Sequence, residues 1–207
     1  PIGFPNHLQF YLHEYPEESE KNVSRSHINV EEAKICAYLF LMMLCRGYKS
    51  TEITIISLYK GQKKQIEKEI SNLMDKYYKN KKTDFFDAFD FENDIDESKF
   101  SENQIEKLKL IDKKNDFMKL INFRKSLLGR FIKCLDDFQG EENEVIIVSL
   151  TRSEKPGFVK NENRALVTLS RARQFEFVIG NKNVFGQKNS QNPLWQKICA
   201  EAILIDE

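Results

Sequence analysis

Apolar positions recur along the chain with two alternating periods, and the alternation predicts the order of its elements. Leu8 to His13 (LQFYLH) reads as a short strand, closed by Tyr15 and Pro16. Ala33, Ala37, Phe40, Leu41 and Leu44 then fall at three- and four-residue spacing, so this segment is a helix that buries one face. Asn29, with Glu32 three residues on, has the form of a capping box, and Gly47 supplies a stop just after Arg46. Ile53 to Ser57 (ITIIS) is the next buried strand, with a helix from Lys63 to Tyr78 behind it. Phe131 to Leu135 (FIKCL) resumes the sheet. Val145 to Val148 is a continuous β-branched run, the pattern of a strand covered on both faces. Ala165, Leu166, Leu169 and Ala172 return to helical spacing, so Asn163 to Arg173 predicts a helix, followed by an exposed strand from Phe175 to Ile179. Trp195, Ile198 and Ala202 suit a last helix in which Trp195 packs. The whole succession predicts an α/β fold with a mostly parallel sheet flanked by helices.

Residues 74–128 break this rhythm. Lysines and asparagines lead into DFFDAFDFENDIDE, Asp84 to Glu97, which alternates acids with phenylalanines and holds no basic residue. Ile105, Leu108, Ile111, Phe117 and Leu120 then predict a helix within Ser101 to Phe123. The chain therefore divides into 1–73, a largely helical insertion at 74–128, and 129–207. A surface insertion is the favoured reading, because closure entropy grows slowly with loop length. The alternative is a docking element for a protein partner, since Phe85, Phe86, Phe89 and Phe91 are costly to leave in water.

Charge changes the picture little. The 32 basic residues match the 32 acidic ones, so overall charge gives no support to nucleic-acid binding and only a local patch could. Cys36, Cys45, Cys134 and Cys199 are scattered, so neither a zinc site nor a disulfide framework is indicated, and reduced thiols suit a cytosolic or nuclear protein. The longest apolar run, Ala37 to Cys45, is far too short to span a bilayer, so no membrane is expected. The chain opens on proline and reads as a piece of a larger protein.

Candidate chemistry gathers late in the chain. Gly140 permits a backbone conformation that other residues resist, and Gln139, Glu141, Glu142 and Asn143 bring polar groups suited to a ribose or phosphate edge. Taken alone, a solvated polar loop explains them as well. Arg164, Arg171 and Arg173 lie among apolar positions, and a guanidinium fork fits phosphate, although a salt bridge accounts for at least one of the three. Tyr59, Lys60, Gly61 and Gln62 follow a strand and so reach the carboxyl edge of the sheet, where open α/β sheets place ligands.

These residues resemble a family. Gln139 to Glu142 followed by VIIVSLTRS, then ENRALVTLSRAR and VIGN, look like motifs V and VI of superfamily 1B helicases, closest to the Upf-like branch and to its helicases with NFX-type zinc fingers. YKGQ, Tyr59 to Gln62, is similar to motif IV, and Ser26, Asn29 and Glu32-Ala33 match an element expected to hold the first helix. The resemblance implies the second RecA-like domain of a motor that couples ATP hydrolysis to movement on single-stranded RNA, with DNA or an RNA–DNA hybrid as alternatives. It assigns Arg171 as arginine finger, Glu142 to the ribose, and Arg173 as a second phosphate contact. Gln139, Gly140, Gln62 and Tyr59 are assigned to the nucleotide cleft. Ser149, Thr151 and Arg152 are assigned to RNA phosphates, together with Cys134, which stands where the family usually has threonine. ATP and Mg2+ are the implied cofactors. No Gly-x-x-x-x-Gly-Lys-Ser/Thr loop is present, so this piece alone is expected to be inactive, its phosphate cradle belonging to the first RecA-like domain. Kinship with the NFX-type helicases implies RNA silencing or antiviral surveillance, in the cytoplasm, RNA granules or nucleus. A degenerate helicase fold serving as an RNA-binding or protein-docking scaffold is the competing reading.

Overall fold

The computed structural model describes residues 7–19, 26–79, 128–185, 195 and 203–204. Six strands form one sheet in the order β5-β4-β6-β7-β1-β8: β1 (Leu8–His13), β4 (Ile53–Ser57), β5 (Ile132–Cys134), β6 (Asn143–Ser149), β7 (Ala172–Asn181) and β8 (Ile203–Leu204). Every pairing in this sheet is parallel. The carboxyl ends of all six strands therefore share one edge and the amino ends the other. A two-residue antiparallel pair, β2 (Glu18–Ser19) with β3 (His27–Ile28), lies apart from it.

Strand alternation splits the core in two. Ile53, Ile55, Val145, Ile147, Phe175, Phe177 and Ile179 face α1 (Val30–Cys45) and α2 (Lys60–Lys79). Ile56, Ile146, Val148 and Val178 face the opposite layer, which holds α3 (Glu162–Thr168), α4 (Lys182–Phe185), the 3-10 turn Gly157–Lys160 and Trp195. Both faces being covered explains the unbroken β-branched run of β6. Trp195 packs as expected: it is fully buried against Phe10 and Phe185 and donates its indole N–H to Val159 O at 3.1 Å.

The ends of α1 follow their sequence signals in part. Asn29 is the N-cap and its side chain accepts from Glu32 N–H at 3.0 Å. At the other end Gly47 takes φ +90°, with Gly47 N–H donating to Leu44 O and Tyr48 N–H to Met43 O, the paired bonds of a Schellman motif. The reciprocal half of the capping box is missing, because the Glu32 carboxylate is engaged elsewhere.

Three expectations are corrected. The helix expected over Asn163 to Arg173 stops at Thr168, and Ala172 already pairs with Asn143 in the β6–β7 ladder. Four closely spaced apolar positions do not reveal where a strand partner will claim the backbone, and Leu166 is left exposed as a result. The strand that follows, expected to be exposed, is buried from Phe175 to Gly180 because β6 and β1 flank it and helices cover it. The helix after β4 starts at Lys60, so Gly61 and Gln62 occupy its first turn. Of the expected insertion, residues 74–79 continue α2, while 80–127, with the acidic-aromatic stretch and its helix, lie outside the described residues. Among the described residues no helix is long and apolar enough to cross a membrane.

Candidate functional site

At the carboxyl edge the parallel register sets Ser57 beside Ser149, and α1 and α2 begin above them. The Glu32 carboxylate sits at the centre of a buried network. Its Oε1 accepts from Ser149 Oγ at 2.7 Å and from Thr151 N–H at 2.8 Å, and its Oε2 lies 3.1 Å from His13 Nε2. Tyr15 N–H donates to His13 Nδ1 at 3.1 Å, which leaves Nε2 as the donor to Glu32. Gln62 is 0% exposed. Its Oε1 accepts from Asn29 N–H at 2.7 Å, and its Nε2 donates to Asn29 O and to Ser149 Oγ, each at 3.0 Å. Ser26 Oγ accepts from Gly61 N–H at 2.9 Å. The Ser26, Asn29 and Glu32 element thus ties α1 to the strands it precedes in sequence, as well as starting a helix.

This network holds an unusual backbone. Thr151 is the one non-glycine residue with positive φ among those described, at +70°, a region that costs a β-branched residue on the order of 1–2 kcal/mol. The bond from its N–H to Glu32 offsets part of that cost and turns the chain so that Arg152 reaches Glu17, with Nε 2.8 Å from the carboxylate. Burial works to raise the Glu17 carboxyl, but hydrogen bonds from Arg152 and Ser153 outweigh it and hold the group below its ordinary range. His27 Nδ1 lies 2.7 Å from the same carboxylate.

Several expected ligand contacts are therefore closed. The Ser149 and Thr151 hydroxyls, assigned to RNA phosphates, are fully buried and spent on Glu32, Gln62 and each other. Arg152, assigned likewise, is mostly buried and paired with Glu17. Gln62, assigned to the nucleotide, is structural, and Tyr59 is 5% exposed beside it. Cys134 lines an open cavity of about 420 Å³ at this edge with Tyr59, Lys60, Lys64, Phe158 and Arg164. Burial, followed by the neighbouring Asp137, pushes its thiol upward.

The remaining assigned residues lie at the other end of the same strands, about 20 Å away along seven-residue β6. Gly140 takes φ +83°, and a Cβ there would meet nothing within 4 Å, so the turn is open to solvent on that side. Gln139 and Glu142 flank it, both exposed. Asn143 N–H donates to Arg171 O at 3.1 Å, which brings this loop against the start of β7. Arg171 donates from Nε to Val167 O at 2.8 Å, satisfying a carbonyl at the end of α3, and its Nη1 lies 3.5 Å from Glu141 O. Arg173 is 59% exposed, 3.5 Å from Glu142 and 3.4 Å from Glu144. Arg171, Arg173 and the Gln139 to Glu142 loop are thus brought together. Tyr59 and Gln62 are not with them, so no single cleft of this chain holds all the residues assigned to the nucleotide.

Two guanidinium groups and an open glycine turn converge at the amino edge, with Glu141, Glu142 and Glu144 beside them. They do not supply a metal cradle, and among the described residues no cluster of three His, Cys, Asp or Glu could hold a metal ion. What sequence reasoning missed is the role of Glu32 and His13, and also Glu17 and Phe158. The first two become visible only when β1, α1 and β6 meet. Phe158 did leave a signal, an aromatic residue between Lys155 and Lys160 in a turn.

Comparison with known proteins adds to this geometry. The family model described as AAA domain matches residues 4–183. The chain is 28% identical over 199 residues to NFX1-type zinc finger-containing protein 1 of Homo sapiens, covering 95% of this chain and 7% of that protein. It is 24% identical over 189 residues to the helicase required for RNAi-mediated heterochromatin assembly 1 of Schizosaccharomyces pombe, covering 90% and 14%. It is 38% identical over 87 residues to DNA polymerase alpha-associated DNA helicase A of Saccharomyces cerevisiae, covering 40% and 13%. The chain thus spans 7% to 14% of the length of these curated relatives.

Proposed function

Because the chain belongs to the AAA domain family, as kin of the superfamily 1 helicases with NFX-type zinc fingers, we propose that it is the second RecA-like half of an ATP-dependent RNA motor. In this reading the amino edge of the sheet faces the nucleotide and the carboxyl edge faces single-stranded RNA. A first RecA-like domain carrying the phosphate loop and holding Mg2+ completes the site. One observation carries the reading: Arg171, Arg173 and the Gly140 turn meet at one edge although about thirty residues separate them in sequence.

The chemistry follows from how these groups are held. ATP supplies the γ-phosphoryl group whose transfer to water drives movement. Arg171 is oriented by its Nε bond to Val167 O, so its terminal nitrogens are the ones turned to bind and neutralise charge developing on phosphate oxygens, a role worth about 10³- to 10⁵-fold in rate. Arg173 exchanges long contacts to Glu142 and Glu144 for a phosphate, and Glu142, released from it, is free to accept from a ribose hydroxyl. At the carboxyl edge the Glu32 network keeps the RNA-facing loops in register. The pathway we assign is RNA silencing; the Schizosaccharomyces pombe relative is named for RNAi-mediated heterochromatin assembly.

The test is RNA-stimulated ATP hydrolysis by the full-length protein, with Arg171→Ala beside the wild type and nucleotide binding checked in both. Turnover should fall by at least about 10³-fold while binding largely survives. Absence of turnover in the wild type with any RNA would turn the reading toward a helicase-shaped scaffold.

A further inference from the structure

We propose that Phe158, with Tyr59 and Arg164, forms a stacking subsite for one base of a single-stranded nucleic acid, whose phosphate is taken by Lys60 and Lys64. This rests on the carboxyl edge being the nucleic-acid face.

Phe158 is a large aromatic side chain left 48% exposed on the turn Gly157–Lys160. Its ring lies 5.2 Å from that of Tyr59, and the Arg164 guanidinium stands 5.4 Å from its centroid. Tyr59 is itself braced from behind: His27 meets it edge-on at 5.0 Å and Arg152 lies 6.0 Å from its centroid. The platform is thus held in place before any ligand arrives, which lowers the ordering cost of binding.

Gly157 makes this approach possible. Its φ is +58°, and a Cβ there would fall 2.2 Å from Tyr59 Oη and 3.3 Å from Arg152. A side chain at 157 would be strained at this φ and would overlap the Tyr59 hydroxyl, so glycine is what lets the turn lie against Tyr59.

The surroundings select the occupant. The 420 Å³ cavity beside the rings is bordered by exposed Lys60, Lys64 and Arg164, with Asp136 as the acid on its rim. This size lies within the usual range for small-molecule sites. Aromatic faces interleaved with cations suit a nucleobase and its phosphate, because every base offers a π-face and every phosphate a charge. An acidic partner protein would use the lysines but would leave the exposed ring without a matched planar face. The arrangement reads any base by stacking and carries no hydrogen-bond code, which predicts sequence-tolerant binding.

The experiment measures binding of the full-length protein to a twelve-nucleotide oligouridine by fluorescence anisotropy over a salt series, in parallel with an oligomer of the same length bearing abasic sites. Phe158→Ala should weaken binding to the base-bearing RNA by roughly 5- to 100-fold with the salt slope unchanged. Phe158→Leu, which keeps apolar bulk without a π-face, should lose nearly as much, while Phe158→Trp should retain affinity. The abasic oligomer should bind the wild type weakly and be indifferent to all three changes. Lys64→Ala should instead reduce the salt slope by about one. If Phe158→Ala and Phe158→Leu bind like the wild type while Lys64→Ala changes the slope, RNA runs here without stacking and the subsite is refuted. If the wild type binds neither oligomer, the reading of this edge as a nucleic-acid face fails, and the subsite with it.

Discussion

At the carboxyl edge Glu32, Ser149, Thr151 and Gln62 spend their polar groups on one another out of reach of water. At the amino edge Arg173 stands in solvent with its two glutamates 3.4 and 3.5 Å away, and Arg171 is fastened by one short bond to a helix end. The same six strands support both. A buried network rigidifies and is expensive to break, whereas exposed charges at long range contribute little and exchange partners readily. Motif residues that look alike in sequence therefore divide into those that hold the domain together and those that can meet a ligand.

Two buried glutamates sharpen the contrast. Glu32 has donors on both oxygens. Glu176, 4% exposed on β7, has an Oε1 with no hydrogen-bond partner among the described residues, and burial pushes its carboxyl up to about 8.

The largest stability effect should come from the satisfied network. Glu32→Ala leaves His13, Ser149 and the Thr151 N–H without their acceptor, and unfolding by urea should show a loss of about 3 to 5 kcal/mol. A loss below 1 kcal/mol would place Glu32 among the surface charges and remove the distinction between the edges.

Glu176 should act in the opposite sense. Its folded pKa lies above its unfolded value, so the group favours folding at low pH and destabilises as pH climbs from the ordinary carboxylate range toward about 8. Between pH 5.5 and 8 this amounts to about 3 kcal/mol, and Glu176→Gln should abolish that part of the pH dependence. Parallel stability-versus-pH curves for wild type and variant would contradict it.

Thr151→Gly comes next. Glycine accepts φ +70° freely, but the buried Thr151 side chain is lost and the unfolded chain gains freedom, so these offset and urea unfolding should change by no more than about 1 kcal/mol. The smallest stability effect belongs to Arg173→Ala, within about 0.5 kcal/mol of wild type. That variant should nevertheless weaken nucleotide binding in the full-length protein. Unchanged nucleotide affinity would leave Arg173 a solvated ion pair.

How much of this was legible beforehand varies with the range of the interaction. The Asn29 cap, the Gly47 stop and the β-branched run of β6 are local features, and each appears where its pattern places it. The boundary between α3 and β7 was misread because Ala165, Leu166 and Leu169 carry helical spacing up to the point where Arg171 and Ser170 close the helix end. YKGQ marked a sheet edge correctly, yet nothing in it says that Gln62 turns inward to Asn29 while Lys60 stays in solvent.

By itself the sequence determined the order of the main strands and helices, the parallel α/β class, both ends of α1 and the kinship with superfamily 1 helicases, because these rest on periodicity, local backbone preference and contiguous motifs. Only the tertiary structure decided which edge each motif residue occupies. The partner of Glu32 lies 117 residues away, and its identity depends on the register that sets Ser57 beside Ser149. Hydrogen bonds between distant segments are chosen by which groups the packed sheet leaves within 3 Å of each other, and no spacing along the chain encodes that distance.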